Sequence, residues 1–172
     1  TTSSETLLVI INNILDFSKI ESGHLDLDRV DFSLAYELDM VGEMFRHKIS
    51  ESGIELAIDI DADVPSALIG DPLRLRQILT NLMGNAFKFT TEGEVVIRVT
   101  NQGGEAQRHV LLFTVRDTGI GFDTEKAATL FQAFTQADTS TTRQFGGTGL
   151  GLAISRELTT LMGGRIWAES TL

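Results

Sequence analysis

The chain has no cysteine among its 172 residues, which excludes a disulfide framework and thiolate metal sites and fits a reducing compartment. Basic residues are scarce, 14 against 24 acidic, for a formal charge of −10. A nucleic-acid surface needs clustered Lys and Arg to displace counterions, so no nucleic-acid partner is expected. No apolar run approaches the roughly 20 residues of a membrane span. The start, Thr1-Thr-Ser-Ser-Glu5, is polar and carries no secretory signal. Histidine is rare too: His24, His47 and His109 lie far apart without ligand spacing, and read as surface or packing residues. Only two prolines occur. Pro65 sits in a turn, and Pro72 follows Asp71 in a helix-start signal.

What is present is a length sufficient for one domain with a full core and a modest appendage. Residues 5–22 carry an apolar stripe of Leu7, Ile11 and Ile14, widened by Leu8 and Leu15, and Gly23 stops this helix. A short strand over 29–33 precedes a second amphipathic helix over 34–50, with Leu34, Leu38, Val41, Phe45 and Ile49 inward. Residues 54–60 alternate at period two and predict a strand. A helix runs from Pro72 to about Phe89. Strands are expected at 94–100 and 110–116, joined by the loop around Asn101-Gln-Gly-Gly104. Residues 118–148 hold much Gly, Thr, Ser and Gln, and read as a functional lid with one short helical pattern over 124–134. A helix over 149–162 and a strand beginning Arg165-Ile-Trp167 close the chain.

Four blocks in fixed order carry the chemistry. In Asn81-Leu-Met-Gly-Asn85-Ala-Phe-Lys88, positions 81, 85 and 88 fall within about 60° of one another on a helix. Arg74 and Gln77 share their stripe. Leu75, Leu79, Leu82, Ala86 and Phe89 lie about 120° away, as the expected core face. The amide of Asn85 is a neutral oxygen donor suited to Mg²⁺, and the Lys88 ammonium suits a phosphate. In Asp117-Thr-Gly119-Ile-Gly121, a carboxylate ends a strand before two glycines. Such a group can accept from the exocyclic amine of adenine, while glycine lets the backbone approach the ring. Leu130-Phe131-Gln-Ala-Phe134 supplies two anchors for the lid. Gly146-Gly147-Thr148-Gly149-Leu150-Gly151-Leu152 opens a helix but lacks the Lys-Ser/Thr ending of a P-loop and the spacing of a dinucleotide fingerprint. What remains is a helix N-terminus, whose N–H groups bind anions. Thr148 adds a hydroxyl there, and Arg143 is placed to reach a terminal phosphate. Taken singly, each block is also compatible with an ordinary polar face, turn or core contact; their joint order points to a purine nucleotide with metal-bound phosphates.

At these residues the chain resembles the ATP-binding catalytic domain of sensor histidine kinases, in the wider family that includes gyrase, Hsp90 and MutL. The N, G1, F and G2 boxes of that family match residues 81–88, 117–121, 131–134 and 147–151. The run Ile10-Ile-Asn-Asn-Ile-Leu-Asp-Phe-Ser-Lys-Ile-Glu-Ser-Gly23 looks like the second helix of a dimerisation and phosphoacceptor domain entering its linker. Gly70-Asp71-Pro72, Arg74-Leu-Arg-Gln-Ile78 and Phe134-Thr-Gln-Ala-Asp138 look like the hybrid kinases, which carry a receiver domain downstream.

The resemblance implies an α+β two-layer sandwich, a mixed sheet with helices on one face, preceded by one helix of a helical hairpin. It divides the chain into a partial dimerisation domain (1–22), a linker (23–28) and the catalytic domain (29–172), whose last Gly-x-Gly-Ser-x-Phe strand is missing. It implies ATP and Mg²⁺ as cofactors, with Asn85 as metal ligand. The ATP contacts it implies are Asn81, Asn85, Lys88, Asp117, Gly119, Gly121, Phe131, Phe134, Arg143, Gly147, Thr148, Gly149, Leu150 and Gly151. Expected partners are the upstream phosphoacceptor helix and a response-regulator receiver domain, within a homodimeric parent. The domain is expected to be cytoplasmic, with the parent anchored in the inner membrane. The phosphoacceptor His is absent, so no residue of this chain is assigned a catalytic role, and the chain is expected to be a piece of a larger protein. Hydrolytic clamps of the gyrase and Hsp90 kind place a Glu where Asn81 stands. An amide is no general base, which favours phosphotransfer over hydrolysis. A partner-binding pseudokinase is the third reading, disfavoured by the intact boxes.

Overall fold

The computed structural model describes residues 3–104, 108–123, 127, 129–133 and 149–171. In chain order the elements are α1 (Ser3–Glu21), β1 (Val30–Ser33), α2 (Leu34–Ser52), β2 (Glu55–Ile60), β3 (Ala67–Gly70), α3 (Pro72–Phe89), β4 (Glu94–Asn101), β5 (Leu111–Asp117) and α4 (Gly151–Leu161). They divide into two compact units: Arg29–Gly121, and Thr1–Asp28 with Phe122–Leu172.

In the unit Arg29–Gly121, local chemistry sets the helix ends. Ser33 caps α2 by accepting the Tyr36 N–H, and Asp71 caps α3 by accepting the Arg74 N–H at 3.0 Å, with Pro72 in the first turn. Gly53 ends α2 in the left-handed region, and its N–H returns to the Ile49 carbonyl. The three-stranded sheet has order β2-β4-β5, with β2 parallel to β4 and β4 antiparallel to β5. Parallel neighbours need a long crossover, and the segment carrying β3 and α3 supplies it. β1 and β3 form a separate antiparallel pair.

Burial follows the two periods. Along α2, Leu34, Leu38 and Val41 are buried; along β4, every second residue, Val95, Ile97 and Val99, is fully buried. They meet Leu75, Leu79, Met83, Ala86 and Phe87 of α3 in one apolar cluster, so both helices cover the same face of the sheet. The opposite face carries ion pairs instead, Arg98 with Asp59 and Asp61, and Arg116 with Glu94. This is the mixed sheet with helices on one face that the resemblance implies.

Two expectations are corrected, and one strand was not anticipated. The core face of α3 is rotated: Met83 and Phe87 are buried, whereas Leu82 and Phe89 are only half-buried. Phe87 turns towards α2, where its ring stacks on Phe45 with centroids 5.2 Å apart. A neighbouring helix therefore widens the buried arc beyond the stripe that faces the sheet. β3 has four residues of no distinctive pattern and exists because β1 offers it a ladder. The converse holds at Arg165-Ile-Trp167, which forms no strand among the described residues. There Arg165 stacks on Trp167 and the Trp167 indole N–H donates to Glu169, contacts that give no ladder partner.

The other unit packs α1 along α4. Ala153, Ile154, Ser155 and Leu158 of α4 are buried, while Leu161 and Met162 are exposed. Leu7, Ile11, Ile14 and Leu15 of α1 are exposed large apolar side chains.

One ion pair ties α2 to α3. Nε and Nη2 of Arg76 reach the buried Glu37 carboxylate at 2.8 and 2.7 Å. Arg76→Met leaves that carboxylate uncompensated and is expected to cost about 3 kcal/mol. The double variant Glu37→Met with Arg76→Met should recover most of the loss. Urea melts of the three proteins check this; additive losses would show that the two side chains act independently.

Candidate nucleotide site

Asn81, Asn85 and Lys88 are all half-buried on α3, on the side away from its buried face. Higher on the same stripe, the Arg74 guanidinium donates to the Gln77 amide oxygen at 2.8 Å. The Asn85 side chain has no hydrogen-bond partner among the described residues. Lys88 lies in the last turn of α3, where the helix dipole favours a cation, and its ammonium sits 4.9 Å from the Phe89 ring centroid. Partial burial pushes its pKa below the ordinary lysine value, and the positive charge of Lys48 adds to the effect.

Asp117 is exposed as the last residue of β5. Its Oδ1 accepts the Gly119 N–H at 2.9 Å, closing a local turn. The Ile120 N–H then donates to the Phe89 carbonyl at 3.3 Å. On the other side, Thr118 Oγ1 accepts the Glu94 N–H at 3.0 Å and donates to the Glu92 carbonyl at 3.2 Å. The Thr118 N–H donates to the Glu94 carbonyl at 3.2 Å. The Asp117 turn is thus held against both the C-terminal end of α3 and the turn that leaves it. Two blocks some thirty residues apart in sequence become one surface, with Lys88 adjoining the residue that the Asp117 turn grips.

Gly119 is required by space. A Cβ there would stand 2.5 Å from the Phe89 carbonyl oxygen and 2.8 Å from Asp117 Oδ1. Gly121 instead takes a left-handed φ of 65°. Beside this junction, Thr90 Oγ1 is buried with no hydrogen-bond partner among the described residues. A buried orphan oxygen is the kind of group that a water or ligand satisfies.

The remaining site residues belong to the other unit. Phe131 and Leu150 are buried, Gly149 has φ 68°, and Gly151 begins α4. Leu150 stands at the N-cap and has no side-chain acceptor, so side chains do not cap α4 as they cap α2 and α3. Phe134, Arg143, Gly147 and Thr148 lie outside the described residues. Among the described residues, no group of three or more His, Cys, Asp and Glu forms a metal cage. The Asn85 amide offers a neutral oxygen of the kind that Mg²⁺ accepts.

Sequence reasoning passed over Thr118 and the Phe89 carbonyl. The threonine was legible, since Asp-Thr-Gly is a local hydrogen-bonding run. The carbonyl was not, because its partner is thirty-one residues away.

Gly119→Ala is expected to push the Asp117 turn off the Phe89 carbonyl. Overpacking against backbone costs about 1–3 kcal/mol. Thermal unfolding measures the loss, and amide exchange at Ile120 should accelerate. A variant with unchanged stability and a protected Ile120 amide would disprove the close approach.

Residues 70–172 match the family described as histidine kinase-, DNA gyrase B-, and HSP90-like ATPase. The chain is 48% identical over 164 residues to the signal transduction histidine-protein kinase BarA of Escherichia coli K12, covering 95% of this chain and 18% of that protein. It is 47% identical over 169 residues to hybrid signal transduction histidine kinase L of Dictyostelium discoideum, covering 98% of this chain and 10% of that protein. Full-length ShkA, solved in complex with AMPPNP, superposes with a TM-score of 0.84 at 34% identity, over 99% of this chain and 34% of that one. The chain therefore spans less than a fifth of the curated relatives it matches. With the family match extending over 103 residues, from the cap of α3 through the Asp117 turn and α4, the chain belongs to the histidine kinase, DNA gyrase B and HSP90-like ATPases.

Proposed function

We propose that this chain is the ATP-binding catalytic module of a hybrid sensor histidine kinase. It donates the γ-phosphate of ATP to a histidine on an upstream dimerisation helix, for relay to a receiver-domain aspartate. The observation that carries this reading is the junction of the α3 face with the Asp117 turn. It sets an adenine-reading carboxylate and a phosphate-reading ammonium on one surface, separated by a backbone that glycine keeps open. Kinship with the hybrid kinases supports the choice of acceptor and the receiver partner.

In this reading Asp117 accepts from the adenine amine, and Gly119 and Gly121 let the ring lie against the turn. Lys88 pairs with phosphate. Asn81 and Asn85 face the phosphates, and Asn85 would hold Mg²⁺, which would supply charge neutralisation to the phosphates. Phe131, Phe134, Arg143, Gly147, Thr148, Gly149, Leu150 and Gly151 complete the proposed set of ATP contacts. Residues 1–22 are the end of the dimerisation domain, 23–28 the linker, and 29–172 the catalytic domain. The parent works as a homodimer with its kinase on the cytoplasmic side of the inner membrane. The side chain of Asn81 cannot accept a proton at neutral pH, so water is not activated there and transfer to histidine is preferred over hydrolysis.

Two substitutions test the site. Asp117→Asn should lower ATP affinity by about 1–3 kcal/mol, the cost of a disrupted buried hydrogen bond, with little change for inorganic triphosphate. Asn85→Ala should weaken only the Mg²⁺-dependent part of binding and leave the melting temperature nearly unchanged. Calorimetric titrations with and without Mg²⁺ measure both. Wild-type affinity in Asp117→Asn would remove the carboxylate from the site.

The activity itself is tested with γ-labelled ATP. The chain alone should bind ATP, hydrolyse almost none and carry no label. Adding a separate segment with the parent's phosphoacceptor helix should produce acid-labile label on its histidine. The exposed Leu7, Ile11 and Ile14 of α1 are the expected docking stripe. Vigorous hydrolysis without the acceptor would instead support a hydrolytic clamp.

A further inference from the structure

We propose that Lys48, on α2, is a second cation of the phosphate site, acting beside Lys88 across the seam between α2 and α3. The inference rests on the nucleotide reading of the α3 face and extends it to a residue outside the four sequence blocks.

The packing of the two helices delivers the side chain. Phe45 of α2 stacks on Phe87 of α3 with centroids 5.2 Å apart and planes 12° apart. That stack sets the last turns of the two helices side by side. Lys48 is three residues beyond Phe45, on the same face of α2. Its ammonium lies 5.9 Å from the Phe87 ring centroid, next to the turn that carries Lys88. The Lys88 ammonium lies over the adjacent ring, Phe89, at 4.9 Å. Two cations thus come to the C-terminal end of α3, one from each helix.

The pairing of charges on α2 is uneven. Arg46 pairs with Glu43, and His47 with Glu51 at 3.1 Å. Lys48, between them and Glu51, has no carboxylate partner among the described residues. In a chain of net charge −10, a lysine left without a carboxylate and set beside another lysine is unusual. Burial lowers the proton affinity of both amines, and Lys48 further lowers that of Lys88. The apo arrangement is therefore electrostatically unfavourable, and an anion held between the two ammonium groups relieves it. A polyphosphate seated on Asn85 and Lys88 is such an anion. Local positive potential of this kind is what an acidic protein needs to hold a tetra-anionic ligand.

A cation at the phosphates must act in proportion to phosphate charge. Calorimetric titration of the 172-residue protein with adenosine, ADP and ATP reads this directly. Lys48→Met should weaken ATP about fivefold, ADP less, and adenosine not at all, and Lys48→Arg should restore ATP binding. Arg46→Met, which removes the same charge two residues away, should leave the three affinities in their wild-type ratio. The ligand-free melting temperature of Lys48→Met should not fall. Equal weakening of adenosine and ATP, or a lower melting temperature with affinities unchanged, would make Lys48 a packing residue and overturn the proposal. If the wild-type chain binds no ATP, the nucleotide reading fails first and this inference fails with it. If it binds ATP and Lys48→Met binds it equally well, the nucleotide reading stands and this inference alone is lost.

Discussion

The hydrogen bond from the Ile120 N–H to the Phe89 carbonyl is the constraint on which the candidate site depends. An α-helix leaves its last carbonyls without intrahelical partners. At the end of α3 the Thr90 N–H still closes on Ala86, the carbonyls of residues 87–89 lie beyond that last rung, and the turn after β5 supplies a donor to the one at Phe89. This single contact joins a helix end to a strand end. It can form only because residue 119 lacks a Cβ. Everything else in the unit secures the two ends it joins. Asp71 and Pro72 set the start of α3, the apolar cluster sets its rotation, and the β4–β5 ladder, in register from Val95–Asp117 to Asn101–Leu111, brings Asp117 to the level of Val95. Thr118 then pins the turn to the Glu92–Glu94 backbone.

The legibility of this arrangement in the sequence was uneven, and the unevenness has a physical pattern. Features governed by contacts within four residues were read correctly: the Asp71-Pro72 start, the inward stripe of Leu34, Leu38 and Val41, and the alternation of β2. Capping and amphipathicity are local, so residue order is enough. The core face of α3 was read from one period alone and came out rotated, because a helix that packs on a sheet and on a second helix buries two directions at once. Met83 and Phe87 are buried by that second contact, which no periodicity within α3 encodes. β3 was not anticipated and the segment at Arg165 was expected as a strand it does not form, for one reason. A four-residue strand is a property of its partner more than of its own side chains.

The same division runs through the candidate site. The residue types were legible because chemistry selects them: a carboxylate for an exocyclic amine, an amide for a hard cation, an ammonium for phosphate. Their convergence was not derivable from spacing. The sequence places Lys88 and Asp117 twenty-nine positions apart, and only the order of the blocks hinted that they share a surface. Lys48 lay wholly outside that reading. It belongs to no glycine-rich or amide-bearing run, and its position matters only once Phe45 has found Phe87.

Charge explains why a site in so acidic a chain should be built this way. With a net charge of −10, a carboxylate cage for Mg²⁺ would add to the field that already opposes a polyphosphate. In the proposed reading, a neutral amide at position 85 would give the cation an oxygen without adding negative charge. Asn81 follows the same economy: a carboxylate there would repel the γ-phosphate and also offer a base to water. Lys88 in the last turn of α3, by contrast, raises the local potential, and the helix dipole at that end favours its charge. Asp117, the carboxylate among the candidate residues, stands at the end of β5, where the proposed reading puts the adenine amine. In the proposed reading, a carboxylate at the strand end and an ammonium at the helix end suit a ligand that is a hydrogen-bond donor at one end and an anion at the other.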